Sequence, residues 1–77
     1  MNSHEEKVLN SFKQVIKISE NTSVDDLIYN EFPGWDSVAH MAIIAELELQ
    51  FDCMMDMEDV LDLSSFRKGC EIMNKYL

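Results

Sequence analysis

The sequence predicts an all-α fold, a four-helix bundle with three main helices and one short helix, and three observations carry that expectation. Apolar residues recur at three- and four-residue spacing in each long segment, the period of a helix with one buried face. No stretch alternates apolar and polar residues as a half-buried strand does. Serine, aspartate, proline and glycine stand where such helices begin and where the connections turn.

The first helix is expected from about Ser3 to about Ile18. Ser3 and Glu6 have the spacing of a capping box, in which the serine accepts from the Glu6 amide and the carboxylate reaches back. Val8, Leu9, Phe12, Val15 and Ile16 follow at helical spacing, with Lys7, Lys13 and Lys17 on other faces. Ser19 to Trp35 is a polar-rich connection, too long to be idle in so small a chain. Leu27, Ile28 and Phe32 are its expected anchors, with a helical turn within Val24 to Tyr29. Pro33-Gly34 fits a type II turn, in which proline presets φ and glycine takes the positive φ.

Asp36 then caps a second helix that starts at Ser37 and runs to about Phe51. Ile43, Leu47 and Phe51 form its core seam. Val38, Met41, Ile44 and Leu49, with Ala39, Ala42 and Ala45 between them, leave little that is plainly polar before Glu46. A helix apolar nearly all round is either buried on several sides or meets a partner. A short helix is expected from Met57 to Asp62, capped by Asp56. Ser64 or Ser65 caps the last helix, with Phe66, Cys70, Met73 and Leu77 on one stripe. Gly69 weakens that helix by roughly 1 kcal/mol relative to alanine.

The 77 residues make one domain, 1–77, with no room for a deep cleft walled by several loops. The formal net charge of −9 argues against nucleic acid and anionic membrane as partners. From Ile18 to Phe66 there is no lysine or arginine but there are twelve acids, so one pole should attract basic protein surfaces. The plainer account of those acids is a solvated face. No apolar run approaches membrane-spanning length and no signal peptide is evident, so the cytoplasm and a monomer without membrane insertion are expected. Cys53 and Cys70 have no zinc-site spacing and read as free, half-buried, inert thiols; no metal site is expected.

The informative segment is Pro33-Gly34-Trp35-Asp36-Ser37-Val38, which puts a serine hydroxyl at the first turn of a helix just past an exposing turn. Unpaired amides and the helix dipole suit a phosphate ester there. Ordinary capping is the commoner role of an isolated Asp-Ser. His40 lies one turn beyond Ser37, but no orienting carboxylate or oxyanion hole accompanies it, so no catalytic residue is expected and His40 reads as a surface residue. His4 reads likewise. Trp35 reads as a structural plug beside the turn.

Trp35-Asp36-Ser37-Val38, the stretch Glu46-Leu47-Glu48-Leu49-Gln50-Phe51, Met57-Glu58-Asp59-Val60 and Ser64-Ser65-Phe66 together resemble the acyl carrier protein family. Length, acidity and helix order agree with that family over essentially the whole chain. The resemblance implies that Ser37 receives 4'-phosphopantetheine from coenzyme A through a phosphopantetheinyl transferase, with Asp36 recognised by that synthase. It implies a non-catalytic carrier that is loaded by a ligase or acyltransferase and serves downstream synthases or transferases. It also implies docking through the second helix and its flank, here Val38, Ala42, Ala45, Glu48, Asp56, Glu58 and Asp59.

Fatty-acid carriers usually place acids early in the second helix, where this chain has Ala39, Ala42 and Ala45. The Trp-Asp-Ser look is similar to carriers of secondary-metabolite and surface-polysaccharide pathways, so a specialised role is expected over plain fatty-acid synthesis. The rivals are an aminoacyl or D-alanyl carrier and, from another class, an unmodified acidic helical adaptor.

Overall fold

The computed structural model describes residues 1–77 in full. Four helices follow one another: α1 (Ser3–Lys13), α2 (Ser37–Phe51), the short α3 (Met57–Asp62) and α4 (Phe66–Met73), with no β-strand. The bundle is all-α, with three main helices and one short one, as the periodicity predicts. α1 packs on α2 and α4. Val8 and Phe12 of α1, Ile43, Ile44 and Leu47 of α2, and Phe66, Ile72 and Met73 of α4 meet in one apolar core, closed by Leu27, Trp35 and Leu63 from the connections.

α1 begins one residue earlier in its capping logic than expected. Asn2 Oδ1 accepts from the Glu5 amide at 2.8 Å and Glu5 Oε1 accepts from the Asn2 amide at 3.1 Å, so the capping box is Asn2/Glu5 and not Ser3/Glu6. Asparagine caps as well as serine does, and the Glu5 carboxylate is also held by Arg67. The helix ends at Lys13 rather than near Ile18. There the Val15 amide tightens onto the Phe12 carbonyl. Past this point the chain carries β-branched Val15, Ile16 and Ile18, which lose rotamer freedom in a helix, and Ile16 is buried on leaving it.

Within the long connection the helical turn shrinks to three residues of 3₁₀-helix, Val24–Asp26. The chain then runs extended beside the start of α4: the Tyr29 amide donates to the Ser64 carbonyl and the Phe66 amide to the Leu27 carbonyl, both at 2.9 Å. Extended backbone sends successive side chains to opposite sides. Leu27 is therefore fully buried while Ile28, an expected anchor, faces solvent. Phe32 packs half-buried on the core.

Ser65, one of the two expected caps, accepts from the Lys68 amide at the head of α4. α4 tightens at Met73 into a 3₁₀ turn, Asn74–Tyr76. Leu77, past that change of pitch, is 80% exposed, and Ile72, outside the expected stripe, is buried in the core instead. Asp56 occupies the cap position of α3, yet its side chain makes no capping bond.

Candidate functional site

The turn before α2 decides where Ser37 sits. Phe32 to Trp35 closes with the Trp35 amide on the Phe32 carbonyl at 3.0 Å and with Gly34 at φ +93°, the expected type II geometry. Trp35 then drops into the core, 1% exposed, against Phe12 with ring centroids 4.9 Å apart. Burying the indole pins the backbone just before α2 and leaves Asp36 and Ser37 outside.

Asp36 Oδ1 accepts from the Ala39 amide at 2.8 Å, a true side-chain cap. The cap thus belongs to Asp36, and the exposed Ser37 hydroxyl has no structural hydrogen bond to keep. The Ser37 and Val38 amides, at the positive end of a 15-residue helix, also lack acceptors within the chain. An anionic group at Ser37 would meet these amides and the positive end of the helix.

Beside Ser37 lies a half-open apolar cavity of about 390 Å³. Met41 of α2 and Met57, Val60 and Leu61 of α3 supply its alkyl surface, while Tyr29, His40 and Ser64 contribute polar atoms. No carboxylate or ammonium lines it. Met41 lies one turn after Ser37, so its place was within reach of helical spacing; Tyr29 and Ser64, from distant segments, carried no such signal.

His40 is not the surface residue expected. Its Nδ1 accepts from Trp35 Nε1–H at 3.1 Å and its Nε2 bonds the Val60 carbonyl at 2.8 Å. Both ring nitrogens are therefore committed away from Ser37, and a Ser37–His40 nucleophile pair does not form. His4 also differs from expectation: its Nε2 reaches the Cys70 carbonyl at 2.8 Å and its ring stands edge-on to Phe51.

Of the residues expected on a docking surface, Val38, Ala42, Ala45, Asp56 and Glu58 are exposed. Val38, Ala42 and Ala45 share one face of α2 with Leu49, which is 71% exposed and not a core residue. Glu48 is half-buried and turned to internal use, accepting from the Met55 amide at 2.9 Å. Asp59 is a correction: it is 6% exposed, ion-paired with Lys75 at 2.8 Å and hydrogen-bonded by the Tyr76 hydroxyl. An acid so enclosed cannot meet a partner. The Lys75 and Tyr76 hydrogen bonds hold its carboxyl below the usual carboxylate value.

The two cysteines are free and half-buried. Burial, with Glu5 nearby, pushes the Cys70 thiol up to about 11, and burial with Glu48 and Asp52 raises Cys53. Neither is a ready thiolate near neutral pH. No protein-family model matches the chain, nor does any curated protein or solved structure.

Proposed function

We propose that this chain is an acyl carrier: Ser37 bears a 4'-phosphopantetheine arm, and the protein presents the arm's cargo to partner enzymes. The observation that carries the reading is the exposed, unengaged Ser37 hydroxyl at the head of α2, opening onto an apolar cavity. When bound, the arm supplies the thiol that holds an acyl group as a thioester. Neither Cys53 nor Cys70, both held as thiols, competes for that task. The chain's own residues orient the attachment point: Gly34 makes the turn, Trp35 anchors it and Asp36 caps the helix.

Among carriers, the cavity favours alkyl acyl cargo over an aminoacyl group. An α-ammonium entering it would lose hydration without finding a carboxylate. The exposed apolar face of α2, with Asp36, Asp56 and Glu58 around it, suits partners that offer an apolar site rimmed by lysine and arginine. Those partners would be a loading ligase or acyltransferase and a downstream transferase of a specialised pathway.

The test is intact-mass spectrometry after incubation with coenzyme A, magnesium and a broad-specificity phosphopantetheinyl transferase. Wild type should gain one phosphopantetheine and Ser37→Ala none. An unmodified wild type would leave the acidic adaptor as the better reading.

A further inference from the structure

We propose that His40 is a positioning residue, a neutral imidazole that latches α3 across the cavity beside Ser37 and so sets how readily an alkyl chain enters. An indole N–H can only donate, so the nitrogen facing Trp35 must present a lone pair. The proton then sits on Nε2, where it is donated to the Val60 carbonyl. The two partners together select one tautomer of the neutral ring. A doubly protonated ring would set two donors against each other and leave the buried Trp35 N–H unpaired.

The ring has little freedom to do otherwise. Its plane lies within 15° of the indole plane, the side-by-side arrangement an N–H···N bond between two rings requires, and it meets the Tyr29 ring edge-on at 5.0 Å. Trp35 in turn stands against Phe12 of α1. His40 is thus braced on the core on one side and bonded to α3 on the other.

α3 needs such a brace. It has six residues, and its terminal carbonyls, Val60 among them, lack partners within the helix. The His40–Val60 bond is the one hydrogen bond between α2 and α3. The other polar tether of α3 runs from Asp59 to Lys75 and Tyr76 in the C-terminal turn. With the His40 bond broken, α3 keeps its Asp59 anchor and the Met55–Glu48 bond ahead of it, and only the apolar packing of Val60 resists a local swing of its later turn from α2. Met57, Val60 and Leu61 form the α3 wall of the cavity and Ser37, His40 and Met41 the α2 wall, so that swing opens it.

The latch concerns the cavity whether or not Ser37 carries an arm, so the tests use the unmodified chain and are independent of the carrier assay. In wild type at pH 7.5, the side-chain nitrogen NMR of His40 should report the Nε2–H tautomer; the other tautomer, or a doubly protonated ring, would overturn the proposal even if variants fold poorly. In His40→Leu, amide exchange across residues 57–63 should quicken by about fivefold to tenfold, the worth of one hydrogen bond in a local opening, while α1 and α4 keep wild-type rates. The neutral dye Nile red should bind that variant more tightly. His40→Gln, whose amide oxygen and nitrogen can replace the two ring nitrogens, should restore both readouts toward wild type. Unchanged α3 exchange or dye binding in His40→Leu, acceleration spread evenly over all helices, or glutamine no better than leucine would each refute the latch.

Discussion

Two glycines show how differently one residue type can be used. At Gly34 there is room for a methyl group, since a Cβ would lie 3.6 Å from the nearest Ile16 carbon, but φ is +93° and any L-residue is strained there. At Gly69, inside α4, the backbone is helical and a Cβ would meet Leu63 and Val8 at 3.7 and 3.8 Å, ordinary contact distances. Gly69→Ala should therefore stabilise the fold by up to ~1 kcal/mol, the propensity difference. Gly34→Ala should cost about 1–2 kcal/mol and loosen the Trp35 anchor. Urea unfolding of both variants checks the pair; equal shifts of the same sign would mean that backbone conformation is not the deciding factor.

At the scale of the element, polar contacts tie α3 to the C-terminal turn. Lys75 and Tyr76 both donate to Asp59, and the Tyr76 hydroxyl also accepts from the Asp56 amide at 3.0 Å. The carboxyl is depressed in the folded state. Its contribution to stability is therefore complete above its unfolded value of about 3.9 and is lost as pH falls through the lower folded value. Lys75 and Tyr76 shift upward through the same bonds, so their share persists below their unfolded values and fades only at strongly alkaline pH. Comparing urea midpoints of wild type and Asp59→Asn across pH isolates this site from the other carboxylates. The variant should be less stable at pH 6, and the gap should close on acidification below about pH 4. A gap that stays constant down to pH 2 would show that Asp59 acts through packing alone.

For the whole molecule, charge is the dominant liability. The radius of gyration is 11.2 Å, close to the roughly 11.5 Å of a compact chain this long, so a net charge of −9 is confined to a small volume. Only three ion pairs relieve it, Arg67 with Glu5 and with Asp25, and Lys75 with Asp59. Salt screens those attractions, but it screens the larger excess of like charge as well, and the net sign follows the excess. Thermal stability should therefore rise as sodium chloride is added from low ionic strength. A flat or falling melting temperature would show that the acids are spaced widely enough not to repel.

Much of this molecule was determined by short-range chemistry that the sequence displays. The Ile43-Leu47-Phe51 seam, the Pro33-Gly34 turn, the Asp36 cap, the Met57–Asp62 helix and the outward Ser37 follow from spacing and local preference, and each needs only its near neighbours to be read. The tertiary structure decided what depended on remote partners. Asp59 and Glu48 look like surface acids until Lys75, Tyr76 and the Met55 amide are brought beside them. His40 looks exposed until Trp35 and Val60 meet it from opposite sides. The cavity beside Ser37 has walls from residues as distant as Tyr29 and Ser64. Helical period tells which residues share a face, but a long-range hydrogen bond forms only once packing has fixed both partners, because the bond alone is too weak to offset the entropy of bringing them together.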